Sequence, residues 1–452
     1  VIKLPKKILV IIRCANLKCK QNIFPSKASC LDFGFKYPYF FQIFEARLRI
    51  RFKFCWALPL ILLISCSDTQ PFLRKLSDRD LVQPGDPAQR PNHSEVATFY
   101  VLGDWGTGDD NQRTVAHALK KNVAELPAER THPPFVLELG DNIYEVGLKA
   151  GWNHFLTTQL LHDTFGEIYS EVKYNGRELI YHLVPGNHDH AGRAGGKHGW
   201  GDVIHQETTA EALYPNWRYY PVDPAKNSDA NDSTNYAQLK EENILALTIP
   251  EKVQTPAQNL VKILALDTQV MLEIYQKNDA ELLQKHWQTL ESLLRGNAEW
   301  KIIIGHHPVK SHGKHGGFRT AIWWVPPLTL FTIVDKLFIK RLQDLDNPNY
   351  QRFRKDLIAL MKKHGVAFYL AGHEHNLQFL EIDNAHFQII SGSAGKLSPV
   401  THKDDTIFSH AAFGFARFDV TEDEFWIEFF EALPEGYRSN ALYKITRRAT
   451  QH

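Results

Sequence analysis

Residues 179–189 read Leu179-Ile180-Tyr181-His182-Leu183-Val184-Pro185-Gly186-Asn187-His188-Asp189, an apolar run that halts at a glycine and then sets out an amide, an imidazole and a carboxylate. The same order recurs along the chain. An expected strand over 98–102 leads to Gly103-Asp104-Trp105-Gly106, and one over 135–139 leads to Gly140-Asp141-Asn142-Ile143-Tyr144. Further on, strand 301–304 leads to Gly305-His306-His307-Pro308, and strand 366–370 to Gly372-His373-Glu374-His375. Taken alone, each glycine–polar step is a turn and a lone His-x-His is surface polarity. Together they repeat one event, a strand ending in a potential ligand. In open α/β sheets ligands bind outside the carboxyl ends of the strands, so these ends would gather Asp, Asp, Tyr, Asn and His side chains in one crevice. The glycines allow the tight turns and close backbone approach that such a crevice needs.

Between these strands lie helical stretches at 111–125, 280–294 and 354–364, which makes the body an α/β chain. A further strand is expected at 261–266. Antiparallel strands are expected at 386–391, 413–420 and 424–430.

The ordered set Asp-x-Gly, Gly-Asp-x-x-Tyr, Gly-Asn-His-Asp, Gly-His-x-Pro and Gly-His-x-His resembles the purple acid phosphatases, a group within the calcineurin-like metallophosphoesterases. Leu266-Asp267-Thr268 and the run Tyr214-Pro215-Asn216-Trp217-Arg218-Tyr219-Tyr220 support the likeness, which spans roughly 97–395. It is closest to the small, single-domain mammalian-like form. The resemblance implies a four-layer α/β/β/α sandwich with mixed sheets and a dinuclear metal site at the carboxyl ends of the strands. It implies that Asp104, Asp141, Tyr144 and His375 bind Fe(III), with Asp141 bridging. Asn187, His306 and His373 would complete a second site for Fe(II), Zn(II) or Mn(II). The donor types suit this division, since a hard trivalent ion prefers carboxylate and phenolate oxygen while imidazole suits a divalent first-row metal. Tyr144 discriminates within the superfamily, because most other members lack it.

The activity so implied is an acid phosphatase acting on small phosphate monoesters, with a di-metal-bound hydroxide attacking phosphorus. His188 would assist the leaving group, and His315, nine residues after His306, would be a second catalytic histidine. The alternative is a Mn- or Zn-dependent phosphodiesterase or nucleotidase of the wider superfamily, which iron content would distinguish. Two stretches depart from the family. Residues 191–206 form a Gly-rich basic loop with Lys197 and His198 as candidates for phosphate contact. The apolar run 321–334 within 318–352 is read as a lid, a membrane-facing patch or ordinary packing.

The chain of 452 residues is 43% hydrophobic and 23% charged, enough to bury a core. All five cysteines, Cys14, Cys19, Cys30, Cys55 and Cys66, lie in the first 66 residues, which excludes a disulfide framework for the body. Of 52 basic and 51 acidic residues, twelve basic and two acidic fall before residue 67, so the body is net acidic. That balance argues against nucleic acid as its main partner, and no protein partner is indicated. Arg47, Arg49, Arg51 and Lys53 precede the apolar run 54–64, too short to cross a bilayer but suited to a signal peptide. Leu63-Ile64-Ser65-Cys66 resembles a bacterial lipoprotein processing box, which implies export and a membrane anchor through lipid on Cys66. Residues 1–46 are expected to lie upstream of the true start, 67–95 to be a flexible linker, and 96–446 to form the catalytic domain.

Overall fold

The computed structural model describes residues 70–77, 80–190, 199–220, 244–249, 259–295, 298–318 and 343–447. The leader with Cys66, the 1–46 extension, Lys197, His198 and the apolar run 321–334 lie outside the described residues. Among the described residues no helix is long and apolar enough to cross a membrane.

Two eight-stranded mixed sheets carry the fold. One orders its strands Phe72–Leu73, Thr406–His410, Leu377–Glu381, Phe387–Ser391, Phe368–Ala371, Ala298–Gly305, Asn259–Leu266, Ile244–Ile249. The other runs Val82–Pro84, Gly436–Thr446, Glu424–Leu433, Gly414–Val420, Ala97–Leu102, Phe135–Glu138, Ile180–Leu183, Trp217–Tyr219. Four successive strands of each sheet run parallel, Phe387–Ser391 through Asn259–Leu266 in the first and Ala97–Leu102 through Trp217–Tyr219 in the second, and the other neighbours are antiparallel.

The strand sequences explain the layering. A strand buried on both faces must be apolar at every position rather than at alternate ones. Phe368–Ala371 is such a strand, and Ala97–Leu102 departs from the pattern at Thr98, whose hydroxyl donates to the buried Asp419. Phe99, Val101, Leu137, Ile302, Ile304, Phe368 and Leu370 point into a core made by the two sheets alone. Their neighbours Tyr100, Leu102, Val136, Ile303 and Tyr369 point outward to helices. Four of the helices begin where a side chain satisfies free N–H groups. Asp109 caps Asp110–Ala124, Asp267 caps Thr268–Lys277, Asp279 caps Ala280–Leu294, and Asn347 caps Pro348–His364. Gly365 ends the last of these at φ 64°, the left-handed turn glycine accepts without strain.

The linker expected over 67–95 is corrected by the structure. Phe72–Leu73 pairs with Thr406–His410 in one sheet, and Val82–Pro84 pairs with Gly436–Thr446 in the other. Arg74 chelates Glu381 at 2.6 and 2.8 Å, and Arg90 lies 2.7 Å from the buried Asp419. The strands there take apolar residues of the stretch, Phe72, Leu73 and Val82, and Val82 is buried. The strands of the parallel cores otherwise stand within a few residues of their expected limits, and all five ligand-bearing loops follow carboxyl ends.

Candidate metal centre

The seven candidate ligands converge. Asp104 and Asp141 follow Ala97–Leu102 and Phe135–Glu138, Asn187 follows Ile180–Leu183, His306 follows Ala298–Gly305, and His373 and His375 follow Phe368–Ala371. Asp104, Asp141 and His306 are buried and bring their donor atoms within 4.8 Å of one another. Asp104, Asp141 and His373 adopt φ of 57, 58 and 68°. Non-glycine residues at positive φ are uncommon and gather at functional sites, where the surroundings hold them in strained turns.

On one side the Tyr144 hydroxyl stands 2.9 Å from Asp104 Oδ1, 2.9 Å from Asp141 Oδ2 and 3.4 Å from His375 Nε2. One phenol proton cannot serve both carboxylates. Burial, and then the charges of Asp104 and Asp141, push the Tyr144 phenol well above its ordinary pKa. Only a strong positive charge at this point would hold it as phenolate near neutral pH.

On the other side Asn187 Oδ1 lies 3.0 Å from His306 Nε2 and 3.1 Å from His373 Nδ1, and the two nitrogens are 3.2 Å apart. The outward nitrogens face carbonyls, His306 Nδ1 that of Leu139 at 2.8 Å and His373 Nε2 that of Gln343 at 3.2 Å. With protons on those outward nitrogens, the inward ones carry lone pairs. Three acceptors at such spacing require a positive charge between them, either a proton or a cation. Burial, then His315, His307 and His306, hold His373 well below the usual histidine range. Burial opposes ionisation of Asp141, yet His306 and His188 hold its carboxyl down to about 2. Both donor sets therefore fit a pair of metal ions.

His188 and His315 flank this centre. His188 Nδ1 meets the Glu145 carbonyl at 2.5 Å, which leaves Nε2 directed inward, 3.9 Å from Asp141 Oδ2. The His315 ring lies tilted by 33° against that of His373, with ring centroids 4.1 Å apart, and its Nδ1 meets Asp344 Oδ1 at 2.7 Å.

Several supporting residues surround the candidate ligands. Glu374, between the two histidines of Gly-His-x-His, accepts from Ser311 Oγ at 2.9 Å and from the amides of His315 and Gly316 at 2.7 and 3.0 Å. Asp189 accepts from the Gly186 amide at 2.7 Å and from Asn142 and Gln206 side chains at 3.0 and 2.9 Å, which fixes the loop bearing Asn187. Glu138, fully buried behind Asp141, accepts from the Gly140 amide at 2.7 Å, and burial pushes its carboxyl well above the usual range. Gln343, Asp344 and Lys396 reach the site from distant positions that no local motif marks.

A family model described as calcineurin-like phosphoesterase matches residues 97–377. The chain is 23% identical to tartrate-resistant acid phosphatase type 5 of Sus scrofa, across 82% of this chain and 95% of that one. It is 22% identical to purple acid phosphatase 17 of Arabidopsis thaliana, across 75% of this chain and 82% of that one. Among solved structures, a purple acid phosphatase from yellow lupin seeds superposes with a TM-score of 0.49 at 14% identity, covering 79% of this chain and 55% of that one.

Proposed function

The chain belongs to the calcineurin-like phosphoesterase family, and from that premise we propose that it is an acid phosphatase hydrolysing phosphate monoesters at an iron-containing two-metal site. The observation that carries this reading is Tyr144, with its hydroxyl 2.9 Å from both Asp104 and Asp141. Asp104, Asp141, Tyr144 and His375 would hold Fe(III). Asn187, His306 and His373, with Asp141 shared, would hold Fe(II), Zn(II) or Mn(II). Bound there, two metals supply a clamp for phosphoryl oxygens and an acidified water.

The protein's own groups do the rest. Leu139 and Gln343 fix the ring planes of His306 and His373 through carbonyls, so the inward lone pairs stay aimed. With Nδ1–H donated to the Glu145 carbonyl, His188 carries a proton at Nε2 only as the imidazolium, and in that form it gives the Nε2 proton to the departing ester oxygen. His315, oriented by Asp344, stands beside the His373 edge and steadies the transferring oxygens. The reading includes export, with lipid on Cys66. Absence of fatty-acid label on the wild-type chain would remove the anchor and leave the enzymatic proposal standing.

Replacement of Tyr144 by Phe tests the core of the proposal. Loss of visible colour together with a fall in monoesterase turnover is expected. A variant with unchanged metal content, spectrum and turnover would remove the tyrosine from the site and with it the iron reading.

A further inference from the structure

Lys396 follows the strand Phe387–Ser391 and is part of no motif. Its Nζ lies 3.5 Å from the centroid of the Tyr144 ring. Glu145 Oε1 holds that ammonium at 2.7 Å, while the carbonyl of the same residue takes His188 Nδ1 at 2.5 Å. The Tyr144 and His188 rings meet edge to face at 4.6 Å. The backbone around Lys396 has little freedom. A Cβ on Gly395 would lie 2.8 Å from the Trp105 carbonyl oxygen, and the Ser398 amide donates to the His375 carbonyl at 2.7 Å. The ammonium is thus set over one face of the phenol ring by loops that carry two candidate ligands.

We propose that Lys396 is a positioning residue of the metal centre, whose charge, tethered by Glu145, orients Tyr144 and tunes its bond to iron. This rests on the iron–tyrosine reading above. A cation over an aromatic face is attracted to it, and the attraction grows when the ring carries phenolate charge. The consequence is spectroscopic. A tyrosinate-to-iron transition moves an electron from the ring, beside the ammonium, to a metal lying farther from it. Moving negative charge away from a fixed positive charge costs energy, so Lys396 raises the transition energy.

The test compares visible absorption and iron content of the wild type with Lys396→Met and Lys396→Arg, all in the full chain. With iron retained, Lys396→Met is expected to move the band to longer wavelength, while Lys396→Arg stays near the wild-type position. A Lys396→Met band at the wild-type wavelength with full iron overturns the proposal alone. A wild-type protein with no band overturns the iron reading and this proposal with it. Should Lys396→Met fail to retain iron, Glu145→Gln decides, because it keeps the ammonium but frees it. A red shift there sustains the proposal, and an unmoved band overturns it.

Discussion

His188 commits Nδ1 to the Glu145 carbonyl, so Nε2 alone can reach a leaving oxygen. Removing it should cost chemistry rather than metal. His188→Ala is expected to lower turnover by about 10²–10⁴-fold, with metal analysis matching the wild type; undiminished turnover would deny it the acid role. Gly140 gives a structural counterpart. It sits at φ 93°, and a Cβ there would come within 2.7 Å of His306 Nδ1 and 2.9 Å of the Gly186 amide. Gly140→Ala should therefore displace His306, lower metal content toward one ion per chain and cost about 1–3 kcal/mol in backbone strain. Metal analysis with a urea titration reads both effects. Five of the seven candidate ligands were legible in the sequence because each directly follows a glycine at a strand's end, and Tyr144 and His375 lie in the same loops. Lys396, Gln343 and Asp344 were not, since only the fold brings them to the site.

At the scale of elements, the parallel strands were legible because burial on both faces leaves unbroken apolar runs. The strands Leu377–Glu381 and Thr406–His410 were not anticipated, for they carry polar residues inward. Gln378, for example, is fully buried and bonds Ser311 and Asn376 at 3.2 and 2.7 Å. The misread segment before residue 96 holds both sheets, one strand in each, and Arg90 fastens its end. Arg90 pairs with Asp419 at 2.7 Å and Glu428 at 2.5 Å, and Arg417 is the other cation on Asp419, at 3.0 Å. Taking one partner from a buried pair leaves a charge uncompensated. Arg90→Met is expected to lower unfolding stability by about 3 kcal/mol, seen as a drop in the urea midpoint; a midpoint within error of the wild type would return this segment to the status of a tether.

For the whole molecule, part of its acid sensitivity follows from a buried histidine. Burial, with help from Arg218, depresses His182 to about 3, and its Nδ1 rests 3.2 Å from the Tyr220 hydroxyl. The unfolded chain would bind that proton at about pH 6.5. Between these two values the unfolded state binds more protons than the folded one, so stability falls as pH drops. The contribution is fully present above about pH 6.5 and is lost toward 3, at no more than about 1.4 kcal/mol per pH unit. His182→Phe, which fits the neighbouring Phe135 and Tyr220 rings, should flatten that slope in urea titrations at pH 7 and 5. An unchanged slope would place the acid sensitivity elsewhere.

The central claim is that an iron-bearing pair of metals sits where Tyr144 meets Asp104 and Asp141. A visible absorption spectrum of the purified protein, with metal analysis on the same sample, tests it most directly. A purple band with two metals per chain, at least one of them iron, is the predicted result. A colourless protein holding two manganese or zinc ions and still cleaving phosphate esters would contradict it and leave a phosphoesterase of the broader family.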